Sequence, residues 1–383
     1  MVANPRNSLN LTMMEPCTFQ HLAISEAPLY EGLFLGFDFH FFLAAAKLFW
    51  SGQDPYDVCS YTAQLRIMGR EMGTGAFSFP FPYPPNFLPF LIFFVPFNFM
   101  LACYGWISLL ILSVLVIAHK LNEIFIKRDS AIWVLCIIFV LPPTIRTIVY
   151  GQLSILLVLL WLFVYEFRKK EKMLSAGVLA SIALVKPHFA IVPLLGLSLY
   201  DLKRKETLWI QGVLLGSMAQ ILICYLINSS VFMNFYETLP AIYQSHADLA
   251  SSLQSYSLLS LLPIPHLDIW FMVFVVLLVI FISLQCQMPE IDRISLLLVL
   301  STVFSQYLWL HDFFLLVPAI FLFLRISACP LPLCLGVLTT LMFASSYYLY
   351  PSANEYLGKL VAIVLFAYLL LKNQSVLLRP QKL

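Results

Sequence analysis

Apolar positions run in long blocks along the chain, and the polar ones are gathered into short clusters between them. A short aromatic-rich block at 39–50 ends in the turn Ser51-Gly52-Gln53-Asp54-Pro55-Tyr56-Asp57. The stretch 58–83 is the most polar and is expected outside the membrane; it closes on Phe79-Pro80-Phe81-Pro82-Tyr83-Pro84-Pro85, a stiff extended entry where proline can start a helix but not continue one. Next come an apolar piece at 87–97, broken by Pro96, and a full-length one at 101–118. After the basic loop Lys120 to Arg128, the run from Ala131 to Tyr165 is interrupted at Pro142-Pro143 and carries Arg146, Tyr150, Gly151 and Gln152 just beyond the break. The charged run Glu166 to Lys172 reads as a cytoplasmic turn.

The block 173–200 is interrupted at Lys186-Pro187-His188 and followed by a second basic turn, Asp201 to Lys205. If both turns are cytoplasmic, the block must be a hairpin with Lys186 near its tip, each arm about 20 Å long at about 1.5 Å per residue. The remaining spans are expected at 207–227, 267–285, 294–307, 313–325, 331–350 and 357–371. Residues 228–266 then form a second external loop, Asp292 and Arg293 lie in an internal one, and Lys372 to Lys382 lie inside. The front closes less neatly, because external Pro84-Pro85 and internal Lys127-Arg128 require an odd number of crossings, so 87–97 is expected to be re-entrant or one loop differs in side.

Composition supports this class: the chain is 61% hydrophobic and 11% charged with a mean hydropathy of +0.88, whereas soluble domains carry about a quarter charged residues. The expected fold is all-α, a polytopic transmembrane helix bundle with two larger external loops. A net charge of +2, with the basic residues in short turns, argues against a nucleic-acid partner. The eight cysteines form no CxxC pair, and no nucleotide-loop, zinc-protease or serine-hydrolase motif occurs. No cofactor and no metal is expected, since no DxD carboxylate pair is present.

Four residues carry candidate chemistry. Asp38 sits among aromatic residues, so its carboxylate is neutral, paired or held for proton transfer; a helix cap is the bland alternative. An ammonium at Lys186 is costly in mid-membrane and calls for a phosphate or carboxylate partner, against the alternative of a lysine reaching for the headgroups. His311 stands between two apolar arms, where it can move a proton or donate to a phosphate. Gln152 follows a glycine that lets a neighbour approach closely. On this topology Asp38, Gln152, Lys186 and His311 can all face the outer side. His119, His188, His246 and His266 receive no role.

The order and spacing of these elements resemble glycosyltransferase family 87, the polyprenyl-phosphate-mannose-dependent alpha-mannosyltransferase-like group of integral-membrane C-type enzymes. The likeness runs from Gly36 to Leu322: Asp38 with Gly52, Pro55 and Tyr56, then Tyr83-Pro84-Pro85, Gly151-Gln152, Lys186-Pro187, Ser255-Tyr256-Ser257-Leu258, and Leu310-His311-Asp312-Phe313 before Pro318. The resemblance implies a hexosyltransferase moving a sugar, mannose in the named group, from a polyprenyl-phosphate donor to a lipid or glycan acceptor. It implies a multi-pass protein of a bacterial plasma membrane with an external active site. By position, Asp38 would be the general base, His311 and Lys186 would hold the donor phosphate, and Gln152 and Tyr83 would support them. The chain departs from the family at Tyr256-Ser257, where members often carry Asn or Gln, and in residues 1–35, an irregular segment lacking the expected first helix. The transferase unit is then 36–373, with 374–383 a cytoplasmic tail. A transporter or flippase for a lipid-linked glycan, and an inactive remnant of the family, are the alternative readings.

Overall fold

The computed structural model describes residues 35–72, 80–126, 132–253, 276–280, 283, 289–303, 305 and 309–327. The expected spans at 331–350 and 357–371, the Ser255-Tyr256-Ser257-Leu258 motif, the tail, the segment 1–34 and most of 267–285 lie outside them. Among the described residues the chain is helical throughout, with no strand. Two helices among the described residues are long and apolar enough to cross a membrane, and a bent pair would make a third. This is an all-α membrane protein.

Helix α1 (Phe37–Trp50) follows Gly36, and α2 (Val58–Met72) fills much of the first polar stretch. Asp57 caps α2 by accepting from the backbone N–H and hydroxyl of Ser60. The piece expected to be re-entrant is a 3₁₀ helix, Pro85–Leu91, followed by turns to Phe97. It enters on Pro84, whose φ of −68° and ψ of 155° are those of polyproline. Prolines at 85, 89 and 96 prevent a regular hydrogen-bond ladder there, so α3 (Phe99–Leu121), capped by Asn98 on the Leu101 N–H, is the first full-length span. Among the described residues, α3 is thus the one helix after Pro84 and before the basic loop that is long and apolar enough to cross a membrane.

Helices α4 (Ile132–Val140) and α5 (Pro142–Tyr150) meet at a bend of 73°. Pro142 has no N–H for the Ile138 carbonyl, and the Thr144 hydroxyl takes that acceptor at 2.6 Å. Helix α6 (Ser154–Lys169) leads to the turn Lys170–Lys172, and α7 (Met173–Ser181) continues as a 3₁₀ turn to Val185. The chain breaks at Lys186, and α8 starts with Pro187 at its first position and runs to Lys203.

Helix α9 (Leu208–Ile227) packs closely on α7 through glycine: Gly177 meets the Trp209 carbonyl, Gly212 meets that of Leu174, and further along Ser181 accepts from Gln220 at 2.8 Å. These contacts advance together along both helices, so α7 and α9 run parallel and α8 returns between them. The hairpin read from the basic turns is thus present, with Lys186 at its turn. Gln220 also accepts from Asn86 at 3.0 Å, which ties the Pro85–Leu91 segment to this seam.

Three expectations are corrected. Residues 228–266 are not a plain loop: α10 (Val231–Leu253) occupies much of the stretch. Asp292 and Arg293 do not lie in a loop but inside α11 (Glu290–Val303), where both are buried. Pro289 starts this helix by accepting from both their N–H groups, and Tyr200 covers the Arg293 guanidinium at 3.3 Å. Arg168, expected in a solvated basic turn, is also buried. After α11 the chain re-enters at Trp309, forms a 3₁₀ helix Leu310–Leu316 and continues as α12 (Val317–Ser327).

Candidate active site

One end of the bundle gathers the first turn of α1, the loop before Pro85, α5, the start of α6, the hairpin turn and the 3₁₀ helix after Trp309. The position of the Asp38 carboxylate is built by two glycines. Gly36, at φ 78°, precedes α1, and Gly151, at φ 74°, ends α5; both lie in the left-handed region that a side chain makes costly. The Gly36 N–H donates to the Val149 carbonyl at 2.7 Å, which fastens the start of α1 to the end of α5. A Cβ at Gly151 would stand 2.8 Å from that of Phe39, and one at Gly36 would collide with the Cys103 sulfur. Trp106 completes the joint by donating to the Gly151 carbonyl at 2.8 Å and stacking on Phe39.

That joint brings Asp38 and Gln152 together. Gln152 Nε2 donates to Asp38 Oδ2 at 2.7 Å, and the Tyr83 hydroxyl donates to Gln152 Oε1 at 3.2 Å. Tyr83 is held in turn by Tyr56, whose hydroxyl donates to the Tyr83 carbonyl at 2.7 Å. Burial pushes the Tyr56 phenol well above its ordinary range, so it stays a neutral donor. Gln152 is buried, whereas Asp38 and Tyr83 are part-exposed. Among the described residues Asp38 Oδ1 receives no hydrogen bond, which leaves one carboxylate oxygen positioned and the other open.

Beside this chain stands a buried ion pair. Lys186 Nζ lies 2.6 Å from Asp312 Oδ1, with the two side chains 4% and 1% exposed. The partner that Lys186 calls for is therefore a carboxylate of the chain itself, and the ammonium does not reach for headgroups. Asp312 is further satisfied by the Ser154 hydroxyl at 3.0 Å and by the Trp309 N–H at 3.1 Å, which caps the 3₁₀ helix. His311 is buried, its Nε2 lies 3.5 Å from Asp312 Oδ1, and its carbonyl accepts from Thr147 of α5 at 3.2 Å. The charges of Lys186, Asp312 and Arg146 all lie within Coulombic reach of Asp38. Every candidate residue thus sits at one end of the molecule, in two adjoining sets: Tyr83, Gln152 and Asp38, then Lys186, Asp312 and His311.

Residues 81–305 match the family model for Glycosyltransferase family 87, more than half of the chain. The chain belongs to that family. The matching comparisons with curated proteins and with solved structures find no counterpart. Membership makes this a membrane glycosyltransferase, with a glycosyl donor and an acceptor as substrates and membrane lipids around it. The matched region includes Tyr83, Gln152 and Lys186, whereas Asp38, His311 and Asp312 flank it, joined to it by the hydrogen bonds above.

Two residues at this end were missed as site members. The pairing of Asp312 with Lys186 spans a sequence separation of 126 residues, which no local pattern encodes. Arg146 lies half-exposed on α5 with its guanidinium 4.0 Å from the Tyr150 ring centroid. Its signal was available in the sequence, as an arginine one turn before an aromatic in a proline-broken apolar run.

Proposed function

We propose that the protein transfers a hexosyl group, mannose in the first instance, from a polyprenyl-phosphate carrier to a hydroxyl of a lipid or glycan acceptor at the outer face of a bacterial plasma membrane. The observation that carries this reading is the hydrogen-bonded chain from Tyr83 through Gln152 to Asp38. It orients a carboxylate by one oxygen and leaves the other toward a part-exposed space beside buried cationic and imidazole groups.

In the reaction, Asp38 Oδ1 takes the proton of the acceptor hydroxyl as its oxygen forms a bond to the anomeric carbon. The bond from that carbon to the phosphate oxygen breaks, its electron pair stays on the phosphate, and polyprenyl phosphate leaves. Negative charge grows on the phosphate as it departs, so donors held in place nearby lower the barrier without reorganising. His311 serves as one such donor. Lys186, already bound to Asp312, acts through its position: it orients the 3₁₀ helix that carries His311. A lipid-borne donor also explains a polar site at the end of a helix bundle and a re-entrant Pro85–Leu91 segment, since irregular backbone at membrane depth is tolerated where it lines a polar space.

The test is transfer of labelled mannose from a synthetic polyprenyl-phosphate donor to a membrane-extract acceptor by the purified protein. Labelled product that depends on Asp38 supports the reading. Labelled lipid that only changes leaflet in proteoliposomes, with no new glycosidic bond, would refute it.

A further inference from the structure

The end of the bundle opposite Asp38 holds a basic recess that the transfer chemistry leaves unused. It has a volume of about 210 Å³ and is lined by Lys120, Phe163, Glu166, Phe167, Lys170 and Lys172, at the seam of α3 and α6. Both helices lead away from the candidate site: Trp106 of α3 meets Gly151 just before α6, and further along Lys120 lies 3.8 Å from Glu166. The turn after α6 shapes the recess. Glu171 takes the left-handed conformation at φ 57°, so that its N–H donates back to the Arg168 carbonyl at 2.8 Å and that of Lys172 donates to the Phe167 carbonyl at 2.9 Å. This closure folds Lys172 over the last turn of α6 and divides the basic run. Arg168 is buried in its pairing with Asp201, whereas Lys170 and Lys172 are exposed and face the recess.

Lys120 is shared between Glu123 at 3.1 Å and Glu166, and among the described residues the ammoniums of Lys170 and Lys172 have no carboxylate partner. Three lysines against one glutamate give the lining an excess of positive charge, which calls for an anion. The rest of the surroundings is apolar. Phe163 is exposed on α6, and Val116 and Leu112, four and eight residues before Lys120 on the same face of α3, are exposed as well. An inorganic phosphate would satisfy the lysines and leave that apolar track bare, whereas an anion carrying hydrocarbon satisfies both. Basic pockets between spanning helices at the membrane boundary suit phosphate headgroups for this reason. We propose that the recess binds the phosphate headgroup of an anionic membrane phospholipid, with its acyl chains laid along the Val116 and Leu112 face of α3. The site owes nothing to the choice of sugar or donor.

Thermal unfolding of the purified full-length protein in a neutral maltoside detergent tests it without turnover. The unfolding temperature is followed by tryptophan fluorescence while phosphatidylglycerol, phosphatidylcholine or inorganic phosphate is added. Phosphatidylglycerol should raise it saturably, at a mole fraction about 10- to 30-fold below that needed for phosphatidylcholine, since each lysine near the membrane surface is worth about fivefold. Lys170→Gln with Lys172→Gln should bring the two lipids to within about threefold of each other. Lys203→Gln with Lys205→Gln, which removes the same charge from the neighbouring turn at the same end, should leave the preference intact. An equal loss in both double variants would mean diffuse surface charge and overturn the site, as would a wild type that does not discriminate between the lipids. Inorganic phosphate that alone reproduces the full rise would overturn the lipid assignment in favour of a free anion. If the double variant at 170 and 172 does not fold, the single variants decide: about fivefold lost in each supports the site, and no loss in either refutes it.

Discussion

The two ends of the bundle each bury charge, and they do so for different ends. At the end opposite the candidate site, Arg168 donates to both oxygens of Asp201 at 2.8 and 2.9 Å and also to Glu290, while its guanidinium lies 4.6 Å from the Trp209 ring centroid. One side chain thereby joins the C-termini of α6 and α8 to the first turn of α11 and the start of α9. The Arg168 and Asp201 side chains are fully covered, and each of the three guanidinium nitrogens donates to a carboxylate. At the site end the pairing is looser. Lys186 and Asp312 are covered, but Asp38, Tyr83 and Arg146 remain part-exposed, and among the described residues Asp38 Oδ1 receives no hydrogen bond. Saturated charge serves as a fastener, whereas charge with unused valence can do chemistry. The difference lies in what the neighbours leave open rather than in the residue types.

Exchanging charges at the two ends turns that contrast into measurements. The largest effect is expected from Asp38→Asn, which keeps the size and the Gln152 contact but removes the base: turnover should fall about 10²- to 10⁴-fold with the unfolding temperature unchanged. Turnover within about threefold of the wild type would take Asp38 out of the mechanism. Arg168→Met should do the opposite, destabilising the fold by about 3–5 kcal/mol through two stranded carboxylates, with normal KM in whatever protein remains folded. Adding Asp201→Leu and Glu290→Gln should restore most of the unfolding temperature in detergent; no recovery would mean that the clamp is not one unit.

Lys186→Met probes the boundary between the two kinds of charge. Asp312 keeps its bonds from Ser154 and Trp309, so the loss should be near the lower end of about 3–5 kcal/mol and should be accompanied by a weaker donor interaction, because His311 rides on the same helix. A variant as stable as the wild type, with unchanged donor kinetics, would separate Lys186 from the site altogether. The smallest effect belongs to Tyr83→Phe. It removes one neutral hydrogen bond to Gln152, about 0.5–1.5 kcal/mol, and should slow turnover about 2- to 10-fold at unchanged donor KM. A rise in KM without a change in kcat would instead make Tyr83 a substrate contact.

What the sequence made legible follows from how local each signal is. The hairpin could be read because Lys186-Pro187 breaks an apolar run between two basic turns, and the irregular piece before α3 because Pro96 breaks it and external Pro84-Pro85 and internal Lys127-Arg128 demand an odd number of crossings. The meeting of Asp38 with Gln152 had only a glycine as its herald, and the two lie 114 residues apart. Arg168 was hidden by its company, since Lys169, Lys170 and Lys172 follow it and make it look like one more turn cation. Helical phase would have revealed it: Trp161, Val164 and Arg168 recur at intervals of three and four residues on the buried face of α6. Asp292 and Arg293 give the same signal, charge at an apolar boundary, although both are buried inside α11. The helix α10 went unread because its polar residues and Pro240 masked an otherwise regular stretch.

The joint between α1 and α5 also shapes what random mutation can do to this gene. A glycine codon can reach only residues that carry a Cβ by any single-base missense change. At Gly36 that atom would collide with Cys103, at Gly151 it would press on Phe39, and at both the backbone would stay in the left-handed region. Asp38 and Gln152 stand two and one residues beyond these glycines, so every such step at either codon disturbs the seat of the carboxylate without touching the carboxylate itself. In a library built by error-prone replication, these two codons should therefore be as intolerant as the one for Asp38, although a glycine has no side chain to do chemistry.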